Sequence, residues 1–163
     1  MRVPEAPVEP VTLCEYIGAL AEERATGFAV ARFAVYDYRE IRSSMGAGAA
    51  TELLDRISER IRGHLRPADR LAVMADGDML LVLDSPDRLE ERLHDLVRQG
   101  SGWTSAVYGQ LSAGAAVALP HDDAETLVSR ASLALDEAGR HAPGSVTVCA
   151  TNMLIDARQR VSL

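Results

Sequence analysis

Apolar and polar positions along this chain switch between a helical and a strand period, and the switches mark its elements. Thr12-x-x-Glu15 is a capping box that opens a helix through about residue 24, and Thr26-Gly27 breaks it. "FAVARFAVY" (28–36) is rich in β-formers and apolar almost throughout, the pattern of a central buried strand. A polar stretch with Gly46 and Gly48 follows. Leu53, Leu54, Ile57, Ile61 and Leu65 make one helical stripe, so the spacing predicts an amphipathic helix over 50–64, ended by Pro67. "RLAVM" and "DMLLVL" are two strands joined through Asp76-Gly77, a strong hairpin signal. Pro86 falls in the first turn of a helix over 86–99, with Leu89, Leu93, Leu96 and Val97 inward. Residues 104–118 read as strand, with Gly109 and Gly114 as bulges or bends. Aspartates at the N-cap open a helix over 122–139, and "SVTVCA" is a last strand.

The order α-β-α-β-β-α-β-α-β predicts an α+β fold: a ferredoxin-like, split βαβ sheet with helices on one face and an extra N-terminal helix. Residues 1–11, with Pro4, Pro7 and Pro10, read as a flexible arm, 12–150 as the domain, and 151–163 as a tail without clear period. In this architecture the first strand neighbours the hairpin, and their ends form a shared polar edge suited to a site.

Composition narrows the function. At 163 residues the chain is one domain with room for a full core. No run approaches the roughly 18 apolar residues of a membrane span, and "MRVPEAPVEPV" carries no apolar leader, so a cytoplasmic protein without membrane insertion is expected. Cys14 and Cys149, far apart, are expected as free thiols. A net charge of −7 argues against binding nucleic-acid backbone. All 17 basic residues are arginine, each a planar fork suited to carboxylate, phosphate or guanine edges. Arg56, Arg60, Arg62, Arg66 and Arg70 cluster, which by itself describes a solvated helix face.

Four stretches in order then resemble one family. "GAGAATELLDRISERIRGHLRPADR", "ADGDMLLVL", "LSAGAAVALP" and "DDAETLVSRASLALDEAGRHAPGSV" are similar to successive segments of the GGDEF domain of diguanylate cyclases, over roughly 27–150. The resemblance implies a nucleotidyl-cyclase palm-type fold. It also exposes departures. The family's Asp-x-Asp-x-Phe-Lys strand end falls on Ala34, Val35, Tyr36, Asp37, Tyr38 and Arg39, and its metal-holding first aspartate is Ala34. Its guanine-reading Asn and the Asp after it become Arg42 and Ser43, and a second base-reading Asp becomes Thr51. Its Gly-Gly-Asp/Glu-Glu-Phe signature becomes Ala75, Asp76, Gly77, Asp78 and Met79, which puts Gly77 at its metal position, and its phosphate-binding lysine is Gly139. Joining a hydroxyl to a nucleoside triphosphate needs metals held by carboxylates. The resemblance therefore implies a degenerate domain that is not an enzyme, with no cofactor and no Mg²⁺. Asp76-Gly77-Asp78 reads first as a tight turn, with a cation held by Asp37, Asp76 and Asp78 as the lesser alternative.

One family motif is intact. Arg66-Pro67-Ala68-Asp69 precedes Ala75 by five residues, the family's spacing for its inhibitory site, where cyclic di-GMP binds. An arginine fork can take guanine O6 and N7 together, and a carboxylate can accept from N1 and N2. The expected ligand-binding residues are Arg66, Asp69, Arg70 and Arg98, with Arg92 and Arg62 as alternatives for the completing arginine. The opposing reading pairs Arg66 with Asp69 at a helix end. The expected function is a cyclic di-GMP receptor signalling to an unidentified protein partner, with stacked ligand able to link two chains as a homodimer. The alternative is a nucleotide-independent interaction or dimerisation platform. Nucleotide binding in the old substrate cleft is the weakest of the binding readings.

Overall fold

The computed structural model describes residues 8–101, 109–139 and 143–149. In chain order these form α1 (Pro10–Arg24), β1 (Ala29–Val35), α2 (Tyr38–Met45), α3 (Ala47–Arg62), β2 (Arg70–Val73), β3 (Met79–Leu83), α4 (Leu89–Ser101), β4 (Leu111–Val117), α5 (Ala124–Gly139) and β5 (Val146–Val148). The strands make one mixed sheet in the order β2-β3-β1-β4-β5. Central β1 runs antiparallel to β3 and β4, and β5 runs parallel to β4.

Strand alternation sorts the core into two layers. Ala31, Phe33 and Val35 of β1, with Met79 and Leu81 of β3, face Leu54, Ile57 and Ile61 of α3 and Leu93 and Leu96 of α4. Val30, Leu80 and Val82 point the other way, toward Leu13 and Ile17 of α1 and Leu127 and Ala131 of α5. Helices on one face was therefore too simple an expectation. Every β3 position is buried, and a strand apolar on both sides needs cover on both.

Local chemistry moved several boundaries. Helix α1 begins at Pro10, with Pro in the first turn and Glu9 at the N-cap, so the Thr12-x-x-Glu15 capping box is not used. The Val8 amide donates to Leu71 O at 2.9 Å, which ties the end of the expected flexible arm to β2. Residues 9–11 of the expected arm are the N-cap and first turn of α1, whereas 1–7 and the tail after residue 150 lie outside the described residues. The polar stretch after β1 is helix α2, which buries Ile41 as its single core residue and gave the hydrophobic pattern little to show. Gly46, at φ +93°, separates α2 from α3.

Gly114 is not a bulge. It sits in regular register opposite Arg32, and a Cβ there would lie 2.0 Å from Leu135 N. The absent side chain lets α5 lie directly on β4.

Candidate functional site

The Arg66–Asp69 segment joins α3 to β2 as a β-turn. Asp69 N donates to Arg66 O at 3.1 Å, with Pro67 at the second position, where its fixed φ suits the turn. The Asp69 carboxylate closes the turn from the other side, its Oδ2 accepting from Arg66 N at 2.9 Å. Its Oδ1 accepts from Asp84 N at 3.0 Å, just past the end of β3. Arg92 Nη2 of α4 donates to the same Oδ2 at 2.8 Å. The Asp69 side chain is 0% exposed and that of Arg92 is 13% exposed. A buried carboxylate with two amide donors and a guanidinium is a fully satisfied structural junction joining α3, β2, β3 and α4.

The two halves of the motif therefore differ. The backbone of Arg66 serves the turn, but its side chain is exposed and has no ion-pair partner among the described residues. Arg92 Nη1 is buried and without a hydrogen-bond partner. Arg66 does not pair with Asp69 through its side chain, so the helix-end ion pair is corrected to a side chain–backbone turn lock. The reason is the proline turn, which aims the Asp69 carboxylate at the Arg66 amide.

The other expected arginines are placed differently. Arg70 folds back on the turn, its Nη1 donating to Pro67 O at 2.8 Å and Asp69 O at 3.0 Å, with its guanidinium 5.9 Å from the Tyr16 ring centre. Arg98 is exposed and pairs with Asp95 at 2.6 Å. It stands six residues beyond Arg92, about 9 Å along the helix and on another face. The structure thus brings Arg66, Asp69, Arg70 and Arg92 together and leaves Arg98 apart. Arg62 lies in the last turn of α3.

At the hairpin, Met74 N donates to Asp78 O at 2.8 Å and Gly77 N to Met74 O at 3.0 Å. Gly77 takes φ +92°, and Tyr38 packs so closely that a Cβ there would lie 2.5 Å from its ring. The loop is one residue longer than a two-residue Asp-Gly turn, with the left-handed glycine closing it. Asp78 N donates to Asp76 Oδ1 at 3.0 Å, an Asx-type turn.

Arg32 of β1 dominates this edge. Its Nε donates to Asp78 Oδ2 at 2.8 Å, its Nη2 to Asp76 Oδ2 at 2.8 Å and its Nη1 to Ser132 Oγ of α5 at 3.1 Å. Burial pushes the Asp78 carboxyl above its ordinary pKa, partly opposed by Arg32 and reinforced by Asp76 and Asp136. Asp37 is instead the N-cap residue of α2, and no group of three acidic, His or Cys side chains able to hold a metal occurs among the described residues. Sequence reasoning passed over Arg32, although a lone arginine inside "FAVARFAVY" is itself a signal that a buried partner exists.

The family described as "Diguanylate cyclase, GGDEF domain" matches residues 16–144. No curated protein matches the chain significantly. Among solved structures, the GGDEF domain of TpbB (YfiN) from Pseudomonas aeruginosa is similar at a TM-score of 0.80 and 21% identity, covering 95% of this chain and 96% of that one. The active GGEEF domain of a diguanylate cyclase from Vibrio cholerae is similar at 0.78 and 12% identity, covering 90% and 99%. The GGDEF domain of DgcB from Caulobacter crescentus, in complex with cyclic di-GMP, is similar at 0.75 and 14% identity, covering 91% and 94%. At such identities the likeness is one of fold.

Proposed function

The chain belongs to the diguanylate cyclase GGDEF family, and on that premise we propose that it binds cyclic di-GMP without making it, and passes ligand state to a protein partner. The observation that carries the binding half is the Arg66 fork, exposed and unpaired among the described residues, beside Arg92 with its buried, unpartnered Nη1. The ligand offers what both lack: guanine O6 and N7 acceptors and two anionic phosphates. Asp69 in this reading positions the turn and Arg92, and Arg66 is the direct contact.

The family's reaction implies Mg²⁺, and the residues present do not fit it. Hard cations need carboxylate or carbonyl oxygens at fixed places. Ala34 and Gly77 bring no side-chain oxygen to the positions that the family resemblance assigns to metal. The hairpin carboxylates that remain are held by Arg32. These features support a domain without cyclase activity, and incubation with GTP and Mg²⁺ should yield no cyclic di-GMP by chromatography.

Calorimetric titration of cyclic di-GMP into wild type and Arg66→Ala tests the receptor. Charge-assisted, desolvated contacts are worth about 2–5 kcal/mol, so the variant should bind at least about tenfold more weakly. Binding unaffected by Arg66→Ala, or no binding at all, sinks this reading. One observation favours the platform instead: the saturated Asp69 carboxylate explains half of the motif by folding alone. On that alternative the titration is silent and Arg66→Ala changes nothing.

A further inference from the structure

We infer that Arg32 is a built-in counter-ion: its tethered guanidinium occupies the position a divalent cation would need between the hairpin carboxylates and α5, and so closes the cleft to metal. All three of its nitrogens are engaged, with Asp78, Ser132 and Asp76, so each arm of the fork is anchored within the chain. The Arg32 side chain is 18% exposed and that of Asp78 is 23% exposed, so the pair is largely withdrawn from water. Asp136 on α5 adds a third negative charge within electrostatic reach of Asp78.

Strand position explains the placement. Arg32 follows Val30 and precedes Ala34 on the α5-facing side of β1, flanked in register by Leu80 and Gly114. Neither neighbour offers a polar side chain, so the guanidinium reaches past them to the hairpin loop and to Ser132. Without it, two carboxylates would face the same partly desolvated space, and like charges held together draw in a cation or a proton. A tethered cation outcompetes dilute free metal because its effective concentration is set by the fold.

This inference rests on the non-cyclase half of the proposed function, but its readout is metal binding and stability rather than turnover or ligand affinity. Wild type, Asp78→Asn, Arg32→Met, Arg32→Lys and the Arg32→Met, Asp78→Asn double variant are melted with and without MnCl₂ at about 0.1 mM, below the mM scale of a tethered group. Wild type and Arg32→Lys should be indifferent to Mn²⁺. Arg32→Met should melt lower by about 5 °C or more. Mn²⁺ should restore at least half of that loss, and the double variant should not respond. If Arg32→Met does not fold alone, its refolding yield with against without Mn²⁺ is the same test. A wild-type shift with Mn²⁺ that Asp78→Asn removes overturns the inference. So does an Arg32→Met protein, folded or refolding, that ignores Mn²⁺. Neither result touches the cyclic di-GMP titration, which reads Arg66 on a different loop, and GTP turnover by wild type would overturn the non-cyclase reading itself.

Discussion

Asp69 and Arg66 are three residues apart in one motif and do different work. Asp69 accepts from two backbone amides and from Arg92 while fully buried. Removing one partner of a buried pair leaves the other charge uncompensated, at a cost of about 3–5 kcal/mol. Asp69→Ala should therefore lose that much in urea unfolding, whereas Arg66→Ala, an exposed side chain, should stay within about 0.5 kcal/mol of wild type. Loss of ligand binding in Arg66→Ala then reports contact and not misfolding. Asp78 makes a second residue-level prediction. Its folded-state pKa is raised by burial, so the folded protein holds the proton more readily than the unfolded chain. The associated stability is complete below the ordinary carboxylate pKa of about 3.9 and is lost as pH rises through the elevated value. Asp78→Asn lacks that loss. Its melting temperature relative to wild type should rise from pH about 4 toward neutrality, and a flat difference would contradict the shift.

Contacts between elements depend on close approach as much as on apolar area. Helix α5 rests on β4 at Gly114, where any side chain meets the helix backbone. Overpacking usually costs about 1–3 kcal/mol, and a rigid backbone neighbour places Gly114→Ala at the upper end of about 3 kcal/mol or beyond, read as a lower denaturant midpoint. The same helix is fixed at its start by Asp123, whose Oδ1 accepts from Thr126 N at 2.8 Å. Next to it Asp122 pairs with buried Arg130, which also donates to Val117 O of β4 at 2.9 Å. At the same end of the sheet, on the other side of β1, Arg24 bonds Asp84 through side chain and carbonyl, at 2.7 and 2.9 Å, and ties the end of α1 to the end of β3. Asp84 N is also the donor to Asp69. Any ligand seated at the Arg66 turn therefore rests on a framework continuous from α1 to α4.

For the whole molecule, a ligand that binds the folded state alone adds stability by mass action, about 2.7 kcal/mol at a hundredfold excess over Kd. Cyclic di-GMP should raise the melting temperature of wild type, with the shift cut by about half or more in Arg66→Ala at that ligand concentration. Two stacked ligands would also couple two chains, so sedimentation should show dimer growing with ligand and not without it. Among the described residues no helix is long and apolar enough to cross a membrane.

Much of the architecture was legible in the chain because it rests on periodicity. Stripes such as Leu53–Leu65 and apolar runs such as 79–83 encode which side of an element meets a neighbour, and four family-like segments in order carried the fold. Helix α2 escaped because a helix with one buried residue leaves almost no stripe. The candidate residues Arg66 and Asp69 were legible from their spacing, but their separate roles were not. Whether a carboxylate faces a ligand or three donors of its own chain is decided by residues as distant as Asp84 and Arg92. The same holds for Arg32, whose partners Asp76, Asp78 and Ser132 lie 44, 46 and 100 positions away. Local pattern fixes what an element buries; the electrostatic partners of a buried charge exist only once distant elements have packed around it.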